Sequence, residues 1–273
     1  MALSINTNPS ALIALGALTG STQALAESQD RVSSGLRVGG VEDDSSAFTI
    51  AQGIRADIGG LNAIQGSISR ATGTLDVATT AGSNISDLLV QARGIAVQAS
   101  DASLDQASLD ALSGEFNAIV SQIDSIAGTA DFNGTNLVDG SGSVAVPAAP
   151  DGSTTGTSVA GADLSAGGLG LTVTSFGSAA DAQAALGEID AGLTSVNATL
   201  AGFGAATTEL DLQGSFLSDL QDTLTVGVGN LVDADLGEEA ANLAADQVRV
   251  ELGIAAQNIA NASPRSLLAL FQG

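Results

Sequence analysis

The chain has 273 residues, with 30 acidic residues against 7 basic ones and a net charge of −23. The basic residues are all arginine, and histidine, lysine, cysteine and tryptophan are absent. This argues against a nucleic-acid partner, which needs a basic patch. It excludes disulfides and thiolate metal sites, and it removes most general bases and covalent nucleophiles, so neither an enzyme nor a bound cofactor is expected.

Apolar residues make up 44% of the chain but aromatic residues only 3%, which predicts thin helix packing rather than a broad core. No apolar run approaches the roughly 18 residues of a membrane span, so no membrane insertion is expected. Residues 1–10 lack the basic and apolar regions of a secretory signal peptide.

The first helix is predicted to start at Asn8-Pro9-Ser10, since proline is tolerated at the first helical position. Ala11, Leu18, Leu25 and Val32 recur every seven residues, with Ala14, Ser21 and Ser28 between them. This is a narrow seam of coiled-coil type. Gly16 and Gly20 weaken it by about 1 kcal/mol each relative to alanine. The helix ends near Gly35, and a turn-rich link with Gly39-Gly40 follows.

Asp43, Asp44 and Ser45 offer N-caps. The two aspartates also suit a metal or acid–base pair, but caps explain them first. Ala47, Ile50, Ile54, Ile58, Leu61 and so on to Ala99 then step by threes and fours, predicting one long helix that Gly59-Gly60 and Gly94 can bend. Ser103 with Gln106 resembles a capping box opening a third helix, from Leu109 to Ile126.

Asn133-Gly134 within Asp131–Thr135 is a strong hairpin signal. The tract 141–170 reads as loop or a small β insertion, and Leu171–Thr174 alternates like a short strand. From Ser178 the helical period returns through Leu224, predicting a helix antiparallel to the earlier ones. Gly202-Phe203-Gly204 and Gly227-Val228-Gly229 are only fragments of a dinucleotide fingerprint.

From Glu238 to Phe271 a second seam runs through Ala241, Ala245, Val248, Leu252, Ala255, Ile259 and Ala262. A helix of that span is roughly 50 Å long, and its seam is expected to pack on the N-terminal one. The fold expected is mainly α: an elongated hairpin of long helices and a terminal coiled coil, with a small β-hairpin insertion in the middle. The domains expected are 1–40 with 235–273, then 41–140 with 178–234, and a surface-exposed insertion at 141–177.

Several stretches resemble bacterial flagellin. They are Met1–Asn8; Arg31-Val32-Ser33-Ser34-Gly35-Leu36-Arg37 followed by Asp43-Asp44-Ser45-Ser46-Ala47; Phe132-Asn133-Gly134 through Gly140; and Asp233–Asp235 with Ser263–Phe271. The resemblance covers about residues 1–140 and 178–273. It implies a subunit that polymerises in many copies into a hollow extracellular filament for swimming, with the paired termini as inner tubes and the insertion facing water. It further implies unfolded export by the flagellar type III apparatus, with an export chaperone, a filament cap and hook-associated proteins as partners. The competing readings are a hook–filament junction protein and a secreted coiled-coil ligand or effector that does not polymerise. Many flagellins carry a Leu-Gln-Arg-Val-Arg-Glu-Leu-like stretch read by a Toll-like receptor. The aligned residues here run from Leu89 through Gln91 and Arg93 to Ile95, and two of the charged contacts are missing.

Overall fold

The computed structural model describes residues 7–150 and 155–271, with side chains described for 7–150 and 156–262. In chain order the elements are α1 (Pro9–Ser34), α2 (Ser45–Ala99), α3 (Gln106–Thr129), β1 (Asp131–Phe132), β2 (Thr135–Asn136), β3 (Ser143–Pro147), β4 (Thr155–Ala160), α4 (Ala179–Val232) and α5 (Leu236–Phe271). The fold is mainly helical with small antiparallel hairpins, as the periodicity predicts. Among the described residues no helix is long and apolar enough to cross a membrane. The contacts divide the chain into two compact units, one holding the residues up to Ala56 and from Thr223 onward, the other Asp57–Asp222.

In the terminal unit α1 and α5 run antiparallel. Asn8 Nδ2 donates to Ala260 O at 2.8 Å, Ser28 Oγ to Asp246 Oδ2 at 3.2 Å, and Arg31 Nη1 to Glu239 Oε1 at 3.4 Å. Asn8 also caps α1 by accepting from Ala11 N at 3.2 Å. At the other end Gly35 adopts φ 72°, a left-handed stop that a side chain rarely accepts, and its N–H donates to Arg31 O at 2.9 Å. The link to α2 then pairs with the last turn of α4: Arg37 N and Val38 N donate to Val232 O at 2.7 and 3.1 Å. α5 opens on Asp235, whose carboxylate accepts from Gly237 N and Glu238 N at 2.8 and 3.2 Å.

In the central unit α2 and α4 are antiparallel. Gln221 donates to Asn62 at 3.0 Å, Leu200 lies against Gly82, Leu89 lies near Gly192, and Arg93 bonds Asp190 at 2.8 Å. Their shared core includes Leu61, Ile68, Leu75, Ile85 and Leu89 of α2, and Ala185, Ile189, Val196, Phe203 and Leu210 of α4. The helix α2 runs unbroken through Gly59-Gly60 and Gly94. At Gly60 the small residue is a docking requirement: a Cβ there meets Pro150 at 2.6 Å.

Three local expectations are corrected. The capping box at Ser103 does not form. Asp105 is the N-cap, accepting from Ser108 N at 2.9 Å, while Ser103 bonds Asp101 and Gln106 is already helical. Leu171–Thr174 is not a strand, because side chains satisfy its backbone: Glu188 accepts from Thr172 N and Val173 N at 2.7 and 3.0 Å, and Asn117 donates to Thr174 O at 2.6 Å. The segment 141–177 is not simply a surface insertion. Val146, Leu164, Leu169, Leu171 and Phe176 are buried, and the Phe176 ring packs on Phe116 with centroids 5.2 Å apart.

The hairpin at Asn133-Gly134 forms as expected. Both turn residues have positive φ, 53° and 82°, and Phe132 pairs with Thr135. This is the geometry of a two-residue primed turn, whose twist matches that of the strands. The second hairpin pairs Ser143 with Ala160 and Val144 with Val159, and has an irregularity between Ala145 and Pro147.

Candidate functional site

The terminal helices carry the features most unlike an ordinary globular core. On α1 the predicted seam residues Ala11, Ala14, Leu18, Ser21, Leu25, Ser28 and Val32 are all buried or half-buried, and neighbours on either side are largely exposed. On α5 the outcome differs. The residues withdrawn from solvent are Glu239, Leu243, Asp246, Val250, Gly253, Gln257 and Ala260. Each lies two residues before a member of the expected seam.

At 3.6 residues per turn, two residues are about 200° around a helix. The expected seam of α5 therefore points away from α1, and this corrects the intrachain role foreseen for it. Ala241, Ala245, Ala255 and Ala262 are exposed. Val248 is 53% exposed, Leu252 64% and Ile259 74%. The outer face of α1 adds Leu12 at 66% and Ile13 at 75%. Ser10, Ile13, Ala14 and Ala17 of α1 form one apolar groove with Ala256, Ile259 and Ala260 of α5.

The face of α5 turned to α1 is instead partly polar. Glu239 and Asp246 are almost completely buried, and Asp246 also accepts from Arg249 Nη1 at 2.6 Å. At Gly253 α1 comes close, since a Cβ there would lie 3.1 Å from Leu18 Cδ1. The sequence reading missed Glu239, Asp246 and Gly253 because it ranked stripes by apolarity. The signal available was a second series with the same alternation of fours and threes, two residues out of phase.

Most of the signature residues near the junction act on the backbone, while Arg31 makes a side-chain pair and Ser33 faces solvent. Arg31 pairs with Glu239, Ser34 Oγ accepts from Leu36 N at 3.2 Å, and Gly35 stops α1. Ser33 is exposed. Asp43 accepts from Gly39 N and Gly40 N at 2.9 and 3.0 Å, and Asp44 caps α2 through Ser46 N and Ala47 N at 2.9 and 3.0 Å. Both carboxylates are thus committed to turn and cap. Phe132 of the hairpin lies on Gly73 of α2, 3.0 Å from a Cβ built there. Of the residues considered for receptor contact, Leu89 is fully buried and belongs to the core, whereas Gln91 and Arg93 are exposed.

The structure is therefore that of a mainly helical chain whose paired terminal helices present apolar stripes to solvent. The family models agree with that class: residues 5–160 match the bacterial flagellin N-terminal helical region and residues 186–271 the bacterial flagellin C-terminal helical region. The chain belongs to the bacterial flagellin family. It is 42% identical over 271 residues to flagellin FljM of Caulobacter vibrioides, covering 98% of both chains. In fold it is similar to the crystal structure of Bacillus cereus flagellin, with a TM-score of 0.50 and 24% identity over 55% of this chain and 88% of that one. It is also similar to a chain from Vibrio parahaemolyticus provisionally described as a flagellar hook-associated protein, with a TM-score of 0.60 and 19% identity over 70% of this chain and all of that one.

Proposed function

We propose that this flagellin is the repeating subunit of an extracellular, hollow helical filament that serves as a propeller for swimming. The observation that carries the proposal is the outward stripe through Val248, Leu252 and Ile259, together with Leu12 and Ile13 of α1. Solvent-exposed apolar faces on two paired helices are stabilised when neighbouring copies cover them. The full-length similarity to FljM supports the same reading. The inner tubes would be built from about 1–40 and 235–273. Export through the flagellar type III apparatus, aided by an export chaperone, would deliver the chain to a growing end beneath a filament cap, beyond hook-associated proteins. A composition with no His, Cys or Lys suits a structural rather than a catalytic role.

The test is seeded elongation. Purified chain is added to sheared filament fragments and followed by electron microscopy. A filament subunit lengthens the seeds in proportion to added protein. A junction protein decorates ends without lengthening them, and a ligand or effector that does not polymerise leaves them unchanged. Either of those outcomes refutes the proposal.

A further inference from the structure

The face of α5 that packs on α1 is the costlier of the two available to it. Glu239 is 8% exposed and Asp246 4%. One oxygen of Glu239 reaches Arg31, but its Oε2 is buried without a hydrogen bond, and so is Oε1 of Gln257. Burying such groups incompletely satisfied opposes folding. A half-turn of α5 about its own axis would set Val248, Leu252 and Ile259 against α1 and return these polar groups to water. Apolar burial taken alone would favour that arrangement, and it would hide the stripe; the pairings of Glu239 with Arg31 and Asp246 with Ser28 hold the observed one.

We infer that Glu239 and Asp246 form a polar lock that fixes the rotation and register of α5 on α1, reserving the apolar face of α5 for a second copy of this chain. The inference rests on the assembly reading above and adds the residues that decide which face is offered. The lock works through partners placed at single levels of α1. Arg31 faces Glu239, and Ser28 donates to Asp246. Sliding α5 by one heptad toward the start of α1 carries Glu239 from Arg31 to the level of Ala24, leaving a carboxylate buried against apolar neighbours. The same slide moves Leu18 off Gly253, the position with no side chain to meet it, and brings it to Asp246. Buried polar residues in helix seams are known to set register at a cost in stability.

The absence of native cysteine allows register to be read by disulfide trapping. A Cβ at 253 would lie 3.5 Å from that of Leu18, within the range a disulfide spans. The pair Leu18→Cys/Gly253→Cys reports the observed register, and Ala11→Cys/Gly253→Cys reports a slide of one heptad. In the soluble chain the first pair should cross-link about tenfold faster than the second, the ratio that leaving one buried group unpaired gives at about 1.4 kcal/mol. Adding Glu239→Leu and Asp246→Leu should reduce that preference to about twofold or less. The same leucine variant without cysteines should slow seed elongation by about tenfold, with thermal unfolding of the central unit unchanged as the folding control. An undiminished preference in the leucine variant, or elongation at the unsubstituted rate, overturns the lock. Failure of the unsubstituted chain to elongate seeds would instead overturn the assembly reading, and the trapping ratios would still decide the register.

Discussion

Truncating the outward stripe should separate assembly from folding. Leu252 is 64% exposed and Ile259 74% exposed in the single chain. Burying a whole leucine or isoleucine side chain contributes about 1.5–3 kcal/mol. Some two-thirds to three-quarters of that remains to be gained by each residue on assembly, and alanine retains part of it. The double variant Leu252→Ala/Ile259→Ala should therefore lose about 2–3 kcal/mol of subunit affinity. At 1.4 kcal/mol per tenfold, the critical concentration for seeded growth rises roughly 30- to 150-fold. Folding of the monomer should change by no more than about 0.5 kcal/mol, because both sites face solvent and alanine is a good helix former. Leu75→Ala supplies the opposite pattern. That residue is fully buried in the central unit, so about 2–5 kcal/mol of folding stability is lost. The measurements are the residual soluble protein at equilibrium with filaments, and thermal unfolding by circular dichroism. A critical concentration within about threefold of the unsubstituted chain, with the monomer intact, would refute the assignment of this stripe to intersubunit contact.

Limited proteolysis of monomer should cut in α1 and α5 before the central unit, and assembled filament should resist, because a seam this narrow and polar holds isolated helices weakly; equal protection in both states refutes this. Phe176→Ala should destabilise the central unit by about 3–4 kcal/mol in a denaturant titration, since the ring is 1% exposed and packs on Phe116. Burial pushes the Glu188 carboxyl up, but hydrogen bonds from Thr172 and Val173 outweigh it and hold the group below its ordinary value of 4.5. A depressed carboxyl stabilises the fold above its unfolded value and loses that contribution as pH falls through its folded value. Glu188→Gln should thus cost stability near neutral pH, and the deficit should shrink on acidification below about pH 4.5; a deficit independent of pH contradicts the role given to Glu188. Receptor activation in a Toll-like receptor reporter assay should be weak, because Arg93 is engaged by Asp190 and Gln91 and Gly94 supply no charge; full potency refutes it.

The long helices were legible because their apolar residues recur at threes and fours over many turns, and the Asn133-Gly134 turn because few residues other than glycine and asparagine accept its backbone. The flagellin resemblance was legible in short junction motifs, and the reason is now physical. Gly35, Asp43 and Asp44 each meet a backbone requirement that few residues satisfy. The Ser103 box and the strand at Leu171 were misread for a common reason. In both places a nearby carboxylate, Asp101 or Glu188, takes an N–H group that the sequence pattern assigned to another partner. The buried positions between 141 and 177 were hidden by composition, since a few large residues, Leu164 and Phe176 among them, do the packing within a tract of glycine, serine and alanine.

The error on α5 is the most informative one. Ranking helix faces by hydrophobicity assumes that the most apolar face is buried within the chain that carries it. For α5 the assumption fails, and the failure has a direction: the apolar face is outward and the inward face carries two carboxylates and an amide. A helix optimised for its own chain would have the reverse arrangement. Ordinary surface variation does not account for it, because Val248, Leu252 and Ile259 keep the spacing of a coiled-coil seam along one face. Two seams of equal period on one helix, of unequal polarity and about 200° apart, define two partners of unequal strength. The weaker seam belongs to α1 of the same chain, and under the proposed assembly the stronger one is left for a neighbouring copy. Such a division would leave the free subunit marginal at its ends and the assembled one well packed, so that growth would be favoured at a filament end, where the stripe can be covered.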